Sequence, residues 1–467
     1  MKRVLLLNLP GTRPYLRDYY CSKVSKAGYL YHPVDLTFQS ALLAGRHQVH
    51  VMDAIAERKT PEVVLRKIGN LEPDAVLCLI GAVAWDEDRV FLEKLRAEYR
   101  GAIVATGDVF MEDPVKLMRD LPAIDAVLLD FTSKGFVDWL DKPQQPAHDM
   151  IVRSDEEITE GPRSDAKGAL SIGIPQYDLF PRKLYRYPFV RRRPFATVLT
   201  DFGCPFPCTF CIMSRLGYST RPVEEVMDEL RWLKRAGYRE LYINDQTFGA
   251  SRKRAMELLD SMSRELNFGW VCFTRADVLD ENLARAMKDA GCHTVMFGVE
   301  SAETRILDAY KKGTDPGNAA KAMEICRKMG LRTVATFLLG FPEDDDSTIE
   351  ATINLALELD PDYASFNFAV PRRGTGLRRR AIELGLADPN VLSMDQAGED
   401  IAMPTLKLTT EKMAMWKRKA LRKFYLRPRY ILKRALALRT PYEVTTTILE
   451  GAQVVRDALS SPEKPGD

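Results

Sequence analysis

LTDFGCPFPCTFCIMS, residues 199–214, contains three cysteines, Cys204, Cys208 and Cys211, with the spacing C-x-x-x-C-x-x-C. The motif follows an apolar strand candidate at residues 196–200, so it lies in a loop that leaves a strand at its carboxyl end, where barrel enzymes keep their chemistry. Three thiolates so close together can ligate three irons of a [4Fe–4S] cluster. The fourth iron lacks a ligand from the motif and is left open to an exogenous one.

A structural zinc site is the alternative for these cysteines. Such a site takes four protein ligands, and the closest further candidates in the sequence are His148 and Cys272. The pattern therefore favours the iron–sulfur cluster. The remaining cysteines Cys78, Cys272, Cys292 and Cys326 are predicted to be buried as small apolar residues, and the role of Cys21 stays open.

The region around the motif alternates strands and helices. Strand candidates lie at 196–200, 240–244, 270–274, 294–299, 333–338 and 363–368, and helical patterns lie at 222–236, 251–265, 280–290, 304–310, 316–329 and 347–359. Each parallel strand needs a crossover connection, so these units predict a partial (β/α)6 barrel.

The amino-terminal part has its own alternation, with strand candidates at 4–8, 48–53, 75–80, 102–106 and 126–130. Several of these strands are too apolar for one of their faces to be exposed to solvent, which is typical of a doubly wound parallel sheet covered by helices. Such a sheet binds its ligand beyond the carboxyl ends of its strands. The predicted organisation is an α/β unit at 1–141, a linker and packing segment at 142–190, the barrel at 191–393 and a basic helical region at 394–467.

The composition indicates a globular protein, with 467 residues, 46% hydrophobic and 28% charged. We expect no membrane-spanning segment and no signal peptide, and eight cysteines with uneven spacing are too few for a disulfide scaffold. The sequence therefore predicts a cytoplasmic protein with reduced thiols.

The cysteine motif, with Phe210 before the third cysteine, resembles the signature of the radical S-adenosylmethionine (SAM) superfamily. The resemblance implies that the open iron binds the amino and carboxylate groups of SAM. An electron, supplied by a reductant such as flavodoxin or ferredoxin, then cleaves SAM to methionine and a 5′-deoxyadenosyl radical that abstracts hydrogen from the substrate.

The same resemblance implies SAM contacts at the ends of the next strands. They are Asn244, Asp245 and Gln246 for the amino group, Arg275 for the carboxylate, Glu300 and Ser301 for the ribose, and Gly340 and Phe341 for the adenine. INDQTF at 243–248 departs from the usual Gly-Gly-Glu, which leaves the individual roles open. Arg275 has an alternative role in a surface salt bridge with Asp277, and Gly340 has one in a turn that needs positive φ.

A doubly wound unit ahead of a radical SAM barrel resembles the cobalamin-binding subgroup, as does FYLRPRYILKRAL at 424–436. That subgroup includes class B radical SAM methyltransferases, the anaerobic magnesium-protoporphyrin cyclase and hopanoid-tailoring enzymes. The resemblance implies cobalamin contacts at Pro10, Gly11, Gly81, Gly107, Asp108 and Thr132. The loop at 9–21 lacks Asp-x-His-x-x-Gly, so the cobalt is expected to have no histidine ligand. The alternative is a degenerate unit that only shapes the active site.

The sequence thus predicts a cobalamin-dependent methyltransferase that acts on an unactivated carbon of a hydrophobic small molecule, such as a lipid, a tetrapyrrole or another natural product. A cyclase or carbon–carbon bond-forming enzyme of the same family is an alternative, and a non-catalytic cobalamin or redox sensor is another. A tRNA methylthiotransferase resembles a pattern with three further upstream cysteines, but only Cys21 and Cys78 precede the motif.

The segment 407–439 has twelve lysines and arginines against one acidic residue, Glu411. Apolar residues at Met413, Trp416, Ala420 and Phe424 alternate with these cations, as in a helix lying on an anionic membrane. A solvated face, with the apolar residues packed on the barrel, is the alternative. No aromatic RNA-recognition signature accompanies the charge, which disfavours a nucleic-acid partner. We therefore expect at most a peripheral contact with the inner membrane face.

Overall fold

A computed structural model of the chain describes residues 1–19, 22–23, 29–143, 146–154, 157–164, 167–395 and 401–459. The chain forms two compact units. The described part of the first unit lies within residues 1–24, 30–185 and 390–395, and that of the second lies within 186–389 and 401–459, together with residue 29. Cys21, whose role the sequence left open, lies outside the described residues.

The first unit has the predicted doubly wound α/β fold. Its strands are β1 (Arg3–Asn8), β2 (Tyr15–Leu16), β3 (Ser22–Lys23), β4 (Gln48–Asp53), β5 (Ala75–Leu79), β6 (Ala102–Thr106), β7 (Ala126–Leu128), β8 (Met150–Ser154), β9 (Glu157–Glu160) and β10 (Lys167–Ala169). Its helices are α1 (Val34–Leu43), α2 (Pro61–Leu71), α3 (Trp85–Glu98), α4 (Pro114–Asp120) and α5 (Gly135–Asp141).

The main sheet of this unit has the order β4-β1-β5-β6-β7-β8-β9. The strands β4, β1, β5, β6 and β7 are parallel and pair in the flavodoxin-like order, which places a switch in strand order beside β1. All five residues of β5 are buried, because a central parallel strand is covered on both faces. The predicted fold of this part of the chain is confirmed.

Three strands, β8, β9 and β10, lie in the region that the sequence predicted to be a linker, and two of them extend the main sheet. β8 pairs antiparallel with β7, and β9 pairs antiparallel with β8, so the sheet continues past residue 141. Their residues escaped prediction because β9 is an exposed edge strand, EITE, whose charges resemble those of a loop. Polar and charged residues are how edge strands avoid pairing with other chains.

The second unit contains the predicted six parallel strands. Its strands are β11 (Phe195–Val198), β12 (Asp201–Gly203), β13 (Tyr218–Thr220), β14 (Glu240–Ile243), β15 (Gly269–Thr274), β16 (Cys292–Glu300), β17 (Arg332–Leu339) and β18 (Tyr363–Phe368). Its first helices are α6 (Val223–Arg235), α7 (Arg252–Glu265), α8 (Glu281–Asp289), α9 (Thr304–Ala309), α10 (Pro316–Lys328), α11 (Asp346–Leu359) and α12 (Gly376–Glu383).

The strands β11, β14, β15, β16, β17 and β18 pair in that order, and every pairing is parallel. A sheet of consecutive βα units in which each strand pairs with the next is the predicted partial (β/α)6 barrel. The short hairpin of β12 and β13 follows β11 and carries the cysteine loop. The carboxyl ends of the six strands therefore share one edge with the cysteines.

The carboxyl-terminal region is helical, as predicted, with α13 (Thr410–Tyr425), α14 (Pro428–Ala437) and α15 (Pro441–Leu459). The apolar residues of α13 are spaced three or four apart and are buried: Met413, Trp416, Ala420 and Phe424. None of the helices in the described part of the chain combines the length and the apolar character needed to cross a bilayer.

Candidate active site

The cysteine loop begins at a position that only glycine fits. Gly203 has φ +78°, and a Cβ built on it would lie 2.1 Å from the carbonyl oxygen of Gly217. The backbone N–H of Cys204 donates to the same carbonyl at 2.9 Å. Because this contact is between backbones, a side chain at residue 203 would push the first cysteine out of place.

The other half of the loop is fixed by two backbone hydrogen bonds to distant parts of the second unit. The Thr209 N–H donates to the carbonyl of Tyr310 at 2.9 Å, and the Thr209 carbonyl accepts from the Leu377 N–H at 3.1 Å. A third bond, from the Cys211 N–H to the Cys208 carbonyl at 3.1 Å, closes the turn between the two cysteines. The loop is thus held between the end of α9 and the start of α12.

The thiols are reduced and lie beside two cations. The Arg275 Nη1 is 3.5 Å from the Cys208 Sγ. Burial raises the pKa of Cys208, whereas the charges of Lys312 and Arg275 act in the opposite direction. Burial also raises the pKa of Cys211 to about 11. Thiolates and an anionic cluster both gain from such cations, so this set of donors fits an iron–sulfur cluster.

A single metal ion does not fit the same residues. Within the described ranges, no three His, Cys, Asp or Glu side chains come close enough together to hold one ion. A structural zinc site needs four protein ligands around one ion, and the described residues offer no such group beside the cysteines.

Arg275 follows β15 and is buried, with 6% of its surface exposed. It forms the bidentate salt bridge with Asp277 that the sequence offered as an alternative, at 3.0 and 2.9 Å. Its guanidinium also stacks 4.0 Å above the ring of Phe206, which lies between the first two cysteines. The structure therefore places Arg275 against the cysteine loop rather than at the surface, and its contact with the SAM carboxylate stays a prediction.

Lys312 is a site residue that sequence reasoning missed. Its Nζ is 2.9 Å from the Oε1 of Glu300, and both side chains are less than 10% exposed. Glu300 has φ +68°, an uncommon conformation for a residue other than glycine, which occurs most often at functional sites. The Lys312 carbonyl accepts a hydrogen bond from Arg275 at 2.8 Å, so the backbone of Lys312 lies against the Arg275 guanidinium.

The three residues after β14 have different surroundings. Asn244 is 2% exposed, and its side-chain oxygen has no hydrogen-bond partner in the described part of the chain. Asp245 accepts hydrogen bonds from the N–H and hydroxyl of Thr200, so it supports the loop before the cysteines. Gln246 is half-buried. Of the three, Asn244 is the one whose unused acceptor suits an ammonium donor.

Ser301 and Gly340 lie at the next two strand ends and take part in local hydrogen bonding. The Ser301 hydroxyl accepts from the N–H of Glu303 at 3.1 Å. Gly340 has φ +87°, and its N–H donates to Asp344 at 2.9 Å, so the predicted positive-φ turn is present. A Cβ on Gly340 would lie 2.2 Å from the Cε of Met413. A role for these residues at the ribose and adenine stays a prediction.

Phe210 and Phe341 belong to one apolar cluster. Their ring centroids are 5.7 Å apart in an edge-to-face arrangement, and Tyr310 packs on Phe341 at 4.8 Å. Phe210 therefore anchors the cysteine loop on the apolar cluster that also covers the end of β17.

In the first unit, the predicted cobalamin contacts lie at the carboxyl edge of the sheet. A Cβ would lie 2.6 Å from the ring of Tyr15 at Gly11, 3.0 Å from Arg17 at Gly81 and 1.8 Å from the Ile80 carbonyl at Gly107. Packing within the unit is sufficient to explain these three glycines, and their contact with a corrin stays a prediction.

The other three predicted contacts at this edge also have partners within the unit. The Pro10 carbonyl accepts from Arg17 at 3.1 Å. Asp108 accepts from the Ala82 N–H at 2.8 Å, and the Thr132 hydroxyl donates to Asp130 at 2.7 Å.

The Asp35 carboxyl group at this edge is unsatisfied. Asp35 is 1% exposed, and neither of its carboxylate oxygens has a hydrogen-bond partner in the described residues. A buried polar group without a partner is costly unless a ligand completes it. The edge therefore fits a ligand rich in amide groups, such as a corrin.

Comparisons with known proteins agree with this geometry. The sequence model of the Radical SAM superfamily matches residues 199–356. The uncharacterized methyltransferase PH0819 of Pyrococcus horikoshii is 33% identical over 417 residues, which cover 86% of this chain and 89% of that protein. The anaerobic magnesium-protoporphyrin IX monomethyl ester cyclase of Rubrivivax gelatinosus is 25% identical over 347 residues, which cover 70% of this chain and 62% of the cyclase.

A solved structure shares the fold of nearly the whole chain. The cobalamin-dependent SAM radical enzyme OxsB, with aqua-cobalamin and SAM bound, aligns with a TM-score of 0.70 at 14% identity, covering 98% of this chain and 75% of that one. The motif, the order of the two units and the relative of similar length agree with one another. The chain therefore belongs to the cobalamin-binding-domain family of radical SAM enzymes.

Proposed function

We propose that the chain is a cobalamin-dependent methyltransferase that acts on an unactivated carbon of a small hydrophobic molecule. The observation that carries the proposal is the pairing of a three-thiol loop at the mouth of a partial barrel with a doubly wound unit ahead of it. The relative of similar length is named a methyltransferase. When bound, the cluster supplies the electron that cleaves SAM, and cobalamin supplies the methyl group.

Each group of site residues would then have its own role, according to where it lies. Cys204, Cys208 and Cys211 hold the cluster, and Arg275 and Lys312 offset its negative charge. Asn244 offers its free side-chain oxygen to the SAM amino group. The rings of Phe210 and Phe341 keep water away from the reacting carbon, so that a radical is not quenched before it meets its substrate.

The test is anaerobic expression with cobalamin supplied, followed by measurement of iron, sulfide and corrin, and incubation with reductant and SAM labelled in its methyl group. A methyltransferase transfers the label from SAM to the bound corrin and onward to small molecules of an anaerobic extract. The C208A variant is the control and should neither retain iron nor cleave SAM. Wild-type protein that contains iron but no corrin, and transfers no label, would contradict the proposal.

A cyclase is the second candidate, and the 25% identity to the magnesium-protoporphyrin cyclase is the observation that favours it. The same experiment separates the two activities. A cyclase cleaves SAM to 5′-deoxyadenosine, but the labelled methyl group stays on methionine. A sensor without catalytic function would not cleave SAM at all.

We also propose that α14 and α15 contact an anionic membrane from which a lipid substrate is taken. Several cations of this region pair with acidic residues of α11 and the following loop, for example Lys412 with Asp346 and Lys433 with Asp360. Exposed apolar side chains remain, with Leu432 62% and Leu436 70% exposed on one face of α14. Arg422 on α13, Arg429 on α14 and Arg439 just after α14 are also exposed.

Flotation with phosphatidylglycerol vesicles tests the membrane contact, and phosphatidylcholine vesicles provide the neutral comparison. The double variant L432E/L436E should lose binding, whereas L406E, which changes another exposed leucine, should keep it. Wild-type protein that does not float with anionic vesicles at low salt would contradict this contact.

A further inference from the structure

The carboxyl edge of the first sheet brings four aspartates together. Asp18 follows β2, Asp108 follows β6, Asp130 follows β7, and Asp35 lies in the first turn of α1. Burial raises the pKa of the Asp35 carboxyl well above its ordinary value, and the charges of Asp18, Asp108 and Asp130 act in the same direction. The four carboxyl groups are therefore close enough to interact.

Three of these aspartates have donors of their own. Tyr31 donates its hydroxyl to Asp18 at 2.6 Å, the Ala82 N–H donates to Asp108 at 2.8 Å, and Thr132 donates to Asp130 at 2.7 Å. Asp35 has no such donor, although it is 1% exposed. One of the four carboxyl groups, that of Asp35, therefore has no hydrogen-bond partner among the described residues.

The helix that carries Asp35 shows that this is exceptional. All ten residues of α1 are buried, including four polar ones. Thr37 donates to the Pro33 carbonyl at 2.8 Å, Gln39 donates to the Phe131 carbonyl at 2.7 Å, and Ser40 donates to the Thr37 carbonyl at 2.6 Å. Thr37, Gln39 and Ser40 thus each donate a hydrogen bond within the unit, although the Gln39 Oε1 has no partner. Asp35 is the polar side chain of α1 for which the described residues offer no hydrogen bond at all.

Within the described ranges, no three His, Cys, Asp or Glu side chains are arranged to hold a metal ion. A buried carboxyl group without a partner is stabilised by a ligand that donates hydrogen bonds to it. A primary amide is such a partner, and it both donates to and accepts from a carboxyl group. Corrinoids carry primary amides around the rim of the macrocycle.

We propose that Asp35 binds a peripheral amide of the corrin and is the residue by which the first unit recognises the cofactor. This inference rests on the proposed cobalamin dependence and goes beyond it, since it assigns recognition to a carboxyl group on α1 and not to a histidine under the cobalt. Asparagine keeps one donor and one acceptor in nearly the same volume, whereas alanine keeps neither.

The experiment measures binding of hydroxocobalamin to the full-length, cluster-reconstituted protein by its absorption spectrum, for wild type, D35A, D35N and T37A. We expect D35A to bind at least tenfold more weakly, which corresponds to ~1.4 kcal/mol, because it leaves an amide of the ligand without a partner. D35N should remain within about threefold of wild type. T37A, which removes a neighbouring buried hydroxyl of the same helix, should also stay within about threefold.

The melting temperature of the cobalamin-free protein separates binding from a purely structural role. Because D35A removes a buried carboxyl that has no partner, its melting temperature should equal or exceed that of wild type, while T37A should melt lower. A wild-type protein that binds the corrin together with a D35A variant that binds it equally well would overturn the Asp35 contact alone. A wild-type protein that binds no corrin would overturn the proposed cofactor as well, and a D35A variant that melts well below wild type would show a structural role.

Discussion

The buried pair of Lys312 and Glu300 makes a strong prediction about stability. The two groups are 2.9 Å apart, and their side chains are 7% and 9% exposed. Replacing Lys312 by methionine leaves the Glu300 carboxylate buried without its cation, which should cost ~3–5 kcal/mol of the free energy of unfolding. The double variant K312M/E300Q leaves no buried charge and should cost only ~1 kcal/mol.

The assay is a double-mutant cycle on the cluster-free protein, with denaturant unfolding followed by tryptophan fluorescence under reducing conditions. The coupling energy is the sum of the two single-variant costs minus the cost of the double variant, and it should be at least ~2 kcal/mol, because the K312M cost alone exceeds the double-variant cost by that much. The exposed pair Lys328 and Glu324, with side chains 57% and 59% exposed, is the matched control. Its cycle should give at most ~0.5 kcal/mol, because water screens an exposed pair.

The reasoning would be refuted if K312M destabilised the protein no more than K328M, or if the K312M and E300Q effects were additive. Either result would mean that water reaches the pair and that Glu300 is not held by Lys312. If the coupling is found, the reduction potential of the reconstituted cluster should also fall in K312M, because a cation beside Cys208 is lost.

Three further predictions follow from single positions. C208A should reduce the iron bound after reconstitution to background, whereas C326A, which alters a fully buried thiol of α10, should keep it, as iron and sulfide analysis will show. G203A should unfold more easily by ~2 kcal/mol or more and take up less iron, since its Cβ meets the Gly217 carbonyl; G237A, with φ +84° and open space around it, should cost only ~1 kcal/mol in denaturant unfolding. Burial lowers the pKa of His32 to about 3. Below about pH 6.5, His32 therefore binds a proton in the unfolded chain but stays neutral in the folded chain. The wild type should therefore lose ~2 kcal/mol of stability between pH 6.5 and pH 5 in denaturant titrations, and H32F should lose correspondingly less, while H148F, at an exposed histidine, should behave as wild type.

The sequence predicted those parts of the fold whose signal is local. The parallel strands are runs of buried apolar residues, and the cysteine motif is contiguous, so both are visible without knowing the fold. β9 was missed because an exposed edge strand has the composition of a loop. Lys312 was missed for a different reason. It lies in the charged stretch YKKGT, and only the fold shows that one of its two lysines is buried against Glu300, twelve residues earlier.

In the basic carboxyl-terminal segment, the sequence shows the charge but does not show which acidic residues pair with it. Its net positive charge is plain in the sequence, but the partners of that charge are not. Asp345, Asp346 and Glu350 follow β17, about sixty to seventy residues earlier, and accept hydrogen bonds from Lys407, Lys412 and Lys419. A charge count over a segment therefore overstates the field that a ligand would meet, because part of it is neutralised by residues that are distant in sequence.

Two buried polar side chains at opposite edges of the barrel sheet differ in how completely they are hydrogen-bonded. At the amino edge, His293 binds Glu240 and Thr294, each at 2.9 Å, so both ring nitrogens have partners. At the carboxyl edge, Asn244 keeps an unused buried oxygen. An unsatisfied buried polar group costs ~1–3 kcal/mol, so it persists where a ligand recovers that energy. Asp35 likewise has no hydrogen-bond partner, and it lies at the carboxyl edge of the first sheet, which is where a doubly wound sheet binds its ligand. Asn244 and Asp35 thus each leave a buried acceptor unused at the edge of the sheet where a ligand is expected, independently of the cysteine motif.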